Sequence, residues 1–260
     1  MSDSILIERK GPVTTLRLND PATMNAMTPT MANGLHEAIK AEVARGARAL
    51  ILAGSERAFS TGANLKAAIP ADLGAFDAGE TLEQDYNPLM WTIRDLEVPL
   101  ISAVRGAAAG VGASLALSCD LIVAGRDAYF LEAFARIGLV PDGGATWLLT
   151  RAVGRVRAME MMLLAEKIPA PQAYDWGLVT RLVENERVEE VAQALAAKLA
   201  QGPSQSLALI RKAAWSAADS DFATTLETER SLQKRAGETT DFAEGVAAFL
   251  QKRPARFHDD

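Results

Sequence analysis

Twice in its first half the chain runs a short apolar stretch straight into a loop of glycine and other small residues. Ala49-Leu50-Ile51-Leu52-Ala53 leads into a glycine-bearing stretch over 54–64, and 99–104 leads into Gly106-Ala107-Ala108-Ala109-Gly110-Val111-Gly112. A strand with no polar face must be covered on both sides, which an isolated antiparallel sheet does not provide. Around these strands the period alternates. Residues 5–8 and 13–18 read as a hairpin about Gly11-Pro12, and Thr28-Pro29 opens a helix to about Arg45, with Pro29 in the first turn where it is tolerated. Residues 81–96 return to helical spacing, while 121–124 and 129–131 read as further strands. The pattern is that of an α/β domain with stacked sheets. Residues 67–80 show no clear period and are read as a loop.

From about residue 154 the spacing becomes helical, with apolar faces over 188–200, 204–217, 222–235 and 241–252. Asp241-Phe242-Ala243-Glu244 has the form of a capping box and marks the start of the last helix. The expected division is a core over 1–200 and a helical region over 201–260 that caps the core or mediates assembly. A chain of 260 residues can build one large core. Its single cysteine, Cys119, excludes an internal disulfide and points to a reducing compartment, and two histidines, His36 and His258, leave little for a metal centre. A net charge of -6 argues against nucleic acid or an anionic membrane surface as the main partner. The uncharged stretch 106–119 is too short to span a bilayer. The first ten residues lack a basic flank followed by an apolar core, so no signal peptide is read there and a cytoplasmic location is expected.

Small residues let a backbone approach a ligand closely, and a loop entering a helix offers unpaired N–H groups. Two such donors aimed at one point would form an oxyanion hole. On composition alone the favoured reading is tight helix–sheet packing, which small residues also allow. Neither loop ends in the Gly-Lys-Ser/Thr of a phosphate loop, and Gly110-Val111-Gly112 lacks the third glycine of a dinucleotide fingerprint. Asp142, in Gly138-Leu139-Val140-Pro141-Asp142-Gly143-Gly144, is the carboxylate that stands out. Apolar and glycyl surroundings raise a carboxyl pKa toward the range useful for proton transfer, although Asp also serves simply to make turns and cap helices. Ser114 has no nearby histidine to activate it, Cys119 reads as a buried structural thiol, and His36 as surface.

Several stretches, in order, resemble the crotonase family, also called the enoyl-CoA hydratase/isomerase family. They are Leu18-Asn19-Asp20-Pro21 through Met24-Asn25-Ala26-Met27, Ala58-Phe59-Ser60-Thr61-Gly62-Ala63-Asn64-Leu65-Lys66, then 99–120, 138–154, and the tail 244–253. Within the family the chain is most similar to isomerases of phenylacetate breakdown that act on ring 1,2-epoxyphenylacetyl-CoA. The residues are Tyr86-Asn87-Pro88-Leu89, 106–117, Gly138-Leu139-Val140-Pro141-Asp142 with Thr146-Trp147-Leu148-Leu149, and Leu226-Glu227-Thr228-Glu229-Arg230.

The resemblance implies a spiral of ββα units whose helical C-terminal region forms trimers, often paired into hexamers. It implies an acyl-CoA thioester substrate and no metal or redox cofactor, coenzyme A being part of the substrate. The family's two oxyanion-hole amides fall on the N–H groups of Ala63 and Val111. Met24 and the stretch Ala63, Asn64, Leu65, Lys66 match the wall along the coenzyme A arm, and Phe249 and Lys252 match tail residues that reach it. Typical hydratases carry two glutamates where this chain has Ser114 and Phe134, neither of which is a carboxylate base. The single acid of the isomerase subgroups falls on Asp142, which the resemblance makes the catalytic base. Glu132 lies beside the lost glutamate position, not on it, and is read as structural. Many members have Asp where this chain has Asn64, and Gly144-Ala145-Thr146 replaces the usual Gly-Gly-Thr. The expected activity is isomerisation of an acyl-CoA; the alternatives are a hydratase and a non-catalytic acyl-CoA-binding homologue.

Overall fold

The structure, a computed structural model, describes residues 4–68 and 77–257. Two sheets are fed alternately by the chain. β1 (Ile5–Lys10) and β2 (Val13–Leu18) form the expected hairpin, with Ile5 opposite Leu18. In α1 (Pro29–Ala44), the Thr28 side chain accepts from the Met31 N–H at 3.1 Å and caps the helix. β3 (Ala49–Ala53) is parallel to β2 and buried throughout. β4 (Ala58–Ser60) starts the second sheet and is followed by α2 (Leu65–Ala68), α3 (Ala78–Thr81), a π turn over Leu82–Tyr86 and α4 (Asn87–Arg94).

β5 (Leu100–Val104) rejoins the first sheet beside β3, β6 (Ala107–Ala109) joins the second beside β4, and α5 (Val111–Leu117) follows. β7 (Leu121–Gly125) and β8 (Tyr129–Leu131) repeat the step and lead on to α6 (Ala145–Ala152) and α7 (Gly154–Leu164). Each turn therefore contributes one strand to each sheet and then helix, which is the expected ββα spiral. β9 (Ile168–Pro169) closes the second sheet, α8 (Ala170–Asp175) follows, and β10 (Arg181–Val183) extends the first sheet parallel to β7.

The apolar strands sit between two cores because side chains alternate along a strand. Leu50 and Leu52 join one cluster with Leu16, Phe59, Leu100 and Phe130, while Ala49, Ile51 and Ala53 join another with Ile101 and Val123. α9 (Val188–Ala200) covers that second cluster with Val188, Ala192 and Ala196. α10 (Ser204–Ala217), α11 (Phe222–Gly237) and α12 (Thr240–Gln251) follow.

Four expectations are corrected. The stretches 54–64 and 106–112 are not wholly loop: they contain β4 and β6, three-residue strands that show no alternation and exist through their parallel pairing with each other. The region after 154 is not wholly helical, since β9 and β10 each complete a sheet. The last helix is capped by Thr239, whose hydroxyl accepts from the Phe242 N–H at 3.1 Å, while Glu244 binds Arg253 at 2.7 Å. Of the loop expected over 67–80, residues 69–76 lie outside those described, and both flanks, α2 and α3, are helical. Among the described residues no helix is long and apolar enough to cross a membrane.

Candidate active site

β4 and β6 are parallel neighbours, so the loops that follow them leave the same edge of the second sheet. The loops touch. Gly62 has φ +92°, and a Cβ there would stand 2.8 Å from the Ala109 carbonyl oxygen and 3.5 Å from Gly110 Cα. Only glycine permits both that backbone conformation and that approach.

The pairing around each loop leaves N–H groups without an acceptor, those of Ala63 and Val111 among them. Ala63 forms an isolated parallel bridge with Met27, in which the Met27 N–H donates to Gly62 O at 2.7 Å and the Asn64 N–H donates to Met27 O at 2.8 Å. Such a bridge uses both polar groups of Met27 and neither of Ala63. At the start of α5, the N–H groups of Ala113 and Ser114 turn back to Gly110 O at 2.8 and 3.1 Å, and the Gly110 N–H donates to Leu131 O at 2.8 Å. Among the described residues, the N–H groups of Ala63 and Val111 have no acceptor. Two free donors thus stand on adjoining loops at one sheet edge.

Two side chains hold this arrangement that the sequence reading did not single out. Asn25, fully buried at φ +56°, donates to the carbonyls of Ala58 and Phe59 at 3.1 and 3.2 Å and accepts from the Asp20 N–H at 2.8 Å. It ties the segment before α1 to β4. The Tyr86 hydroxyl donates to Met27 O at 3.0 Å, on the bridge that carries Ala63. Burial, and then the charges of Asp142 and Asp85, push this phenol up to about 12, so it keeps its proton at neutral pH.

Asp142 lies in a turn whose glycines Gly138, Gly143 and Gly144 all have positive φ. The turn rests on α5: a Cβ on Gly143 would come within 2.8 Å of Ser114 Cβ and 3.3 Å of a Val111 methyl. The buried Ser114 hydroxyl lies 2.9 Å from the Asp142 carbonyl and 3.3 Å from the Gly110 carbonyl. Ser114 is therefore a clamp between the turn and the Val111 loop. Oδ1 of Asp142 is buried without a hydrogen-bond partner among the described residues, and burial pushes this carboxyl up to about 6.

Opposite stand Phe134 and Glu132. The Phe134 ring would touch a Cβ on Gly110 at 3.6 Å and forms an apolar wall. Glu132 is 0% exposed, and neither carboxyl oxygen has a partner among the described residues. Burial first, and then the Asp142 charge, push it up to about 8. In the chain it is an acid placed directly after the strand Tyr129–Leu131.

Met24 joins this region through its carbonyl, which accepts from the Thr61 hydroxyl at 3.3 Å. Asn64 caps α2, its Oδ1 accepting from the Ala67 N–H at 3.2 Å, and Leu65 and Lys66 are exposed on that helix. Phe249 and Lys252 are not brought to this site within the chain. Phe249, 83% exposed, lines a groove made wholly of residues from 203 to 257, including Leu232, Phe242 and Leu250. Lys252 ends α12 at φ +52°.

A model of the enoyl-CoA hydratase/isomerase family matches residues 8–260. The chain is 42% identical over 260 residues to 1,2-epoxyphenylacetyl-CoA isomerase from Escherichia coli (strain K12), covering 99% of both chains. It is also 42% identical over 243 residues to a Rhodobacter capsulatus protein named "Probable enoyl-CoA hydratase", covering 93% of both. Among solved structures, an enoyl-CoA hydratase from Polaromonas sp. JS666 superposes with a TM-score of 0.90 at 31% identity, covering 98% of this chain and 99% of that one.

Proposed function

The chain belongs to the enoyl-CoA hydratase/isomerase family and has its crotonase fold, and from that premise we propose that it is an acyl-CoA isomerase working with one carboxylate, Asp142. The thioester carbonyl of the substrate accepts from the N–H groups of Ala63 and Val111. Asp142, ionised at neutral pH, takes a proton from the carbon beside the thioester. The electron pair left behind delocalises onto the thioester oxygen as an enolate. Preorganised donors are worth most there, on the order of 3 kcal/mol each by the usual effect of deleting one. The protonated Asp142 then returns the same proton two carbons further along, and the double bond moves. No atom is gained or lost, so one group serves both steps.

The observation that carries this reading is that the loops bearing the Ala63 and Val111 N–H groups touch, and that the Asp142 turn, with Oδ1 buried and unpartnered among the described residues, packs on the second of them. Water addition would call for a second group to orient and activate the water. Where typical hydratases hold their glutamates this chain has Ser114, clamped to two carbonyls, and Phe134, which has no proton to move. The name of the Escherichia coli relative supports isomerisation, and extends the reading to an arene epoxide as an acyl group.

Met24, Asn64, Leu65 and Lys66 then flank the coenzyme A arm, and Phe249 and Lys252 cover it from a neighbouring subunit. The exposed apolar groove over 203–257 supports a homotrimer or a dimer of trimers. A cytoplasmic location completes the proposal. Asp142→Asn is the test: turnover falls on the order of a hundredfold or more while acyl-CoA binding persists. Retained turnover overturns it.

A further inference from the structure

The chain satisfies a buried carboxylate when it uses one structurally. Glu42, 2% exposed, is met by Arg9 at 2.7 and 2.5 Å and by the Thr14 hydroxyl at 3.2 Å. Glu132 is more deeply buried and receives nothing. It precedes the short 3-10 helix Ala133–Ile137 without capping it, and both its oxygens are unpartnered among the described residues. Its position is also specific. The carbonyl of Leu131, the residue before it, accepts from the Gly110 N–H at 2.8 Å, so Glu132 is fixed beside the loop that presents Val111. Asp142 is the charge that acts on it, and Ser114 ties the Asp142 turn to that same loop. Glu132, Val111 and Asp142 are therefore neighbours around this loop, with the Phe134 ring packed against it.

Resting on the isomerase reading of this site, we propose that Glu132 is a second functional acid of the acyl pocket, donating its carboxyl hydrogen to an oxygen on the acyl group and so selecting oxygen-bearing acyl-CoA esters over plain hydrocarbon ones. The environment splits the two carboxyls as this requires: at neutral pH Glu132, at about 8, keeps its proton, while Asp142, at about 6, has lost its own. A neutral carboxylic acid in apolar surroundings is a donor in need of an acceptor. A hydrocarbon acyl chain leaves it unpaired, whereas an ether, epoxide, hydroxyl or carbonyl oxygen in reach satisfies it. Sites built to pair a polar substrate atom discriminate far better than sites that sense only bulk.

The test is calorimetric binding of hexanoyl-CoA and of its singly hydroxylated analogues, with the hydroxyl placed in turn along the chain. None of these esters has a double bond for an isomerase to move. Wild-type protein binds at least one hydroxylated ester about tenfold more tightly than hexanoyl-CoA. Glu132→Leu loses that preference and binds hexanoyl-CoA more tightly than wild type does. Glu132→Gln, which keeps an N–H donor, retains part of the preference and decides the matter if the leucine variant does not fold. A buried glutamate with only a structural role would weaken all the esters together and leave their ratio unchanged, which overturns the proposal, as does a wild-type ratio of one across the panel. If the esters bind with the expected ratio but Asp142→Asn still turns over substrate, only the isomerase mechanism falls. If no ester binds at all, both fall.

Discussion

Replacing Glu132 by glutamine removes a titration without changing the shape of the side chain, and its effect can be worked from burial. In the folded protein the carboxyl stands at about 8 against its ordinary 4.5. The folded state therefore holds this proton more tightly than the unfolded chain does. The stability it contributes is present in full below pH 4.5 and is lost as the pH rises toward about 8. Each pH unit in that window costs about 1.4 kcal/mol, giving an upper bound of roughly 5 kcal/mol. Local relaxation and water entry lower the effective cost of a buried ion below such a bound, so roughly 2–4 kcal/mol is expected. The assay is urea unfolding of wild type and Glu132→Gln at intervals between about pH 5 and pH 8, where the midpoint and slope give the free energy. Asp142 titrates in both proteins and largely cancels from the difference. The glutamine variant gains on wild type steadily as the pH rises. A difference that stays flat across the range refutes the reasoning, because it would mean that Glu132 is solvated or paired.

On the proposed mechanism the two carboxyls also shape the rate. In kcat/KM against pH, activity rises through about pH 6 as Asp142 becomes a base and falls again through about pH 8 as Glu132 loses its proton; Glu132→Gln removes the alkaline limb and leaves the acid one. Gly143→Ala places a methyl within 2.8 Å of Ser114 Cβ at a positive φ. It should cost about 1–3 kcal/mol of stability and, by shifting the Asp142 turn, lower kcat at least about tenfold, measured by thermal unfolding and steady-state kinetics.

The frame of the fold was legible where local pattern and tertiary role agree. The run Ala49–Ala53 announces a strand covered on both faces, and both clusters that cover it are present. The Thr28-Pro29 helix start carries its own cap. What escaped was structure held from outside the segment. β4 and β6 are strands because each pairs with the other, and β10 because β7 offers it an edge. The site divides in the same way. The two loops and Asp142 could be singled out by residue type, but the free N–H of Ala63 follows from a bridge to Met27, a residue far away in sequence. Asn25 and Tyr86 act through carbonyls of other segments, which no local spacing records. Glu132 reads as an ordinary acid after a strand until its burial and its lack of partners are known.

The central claim is that one carboxylate moves a proton along an acyl-CoA without adding water. Incubating trans-2-enoyl-CoA with the protein in heavy water, followed by chromatography and mass spectrometry, tests it most directly. The account predicts deuterium in the acyl chain, or a 3-enoyl product of unchanged mass at a new retention time, with both lost in Asp142→Asn. A product heavier by one molecule of heavy water would contradict it.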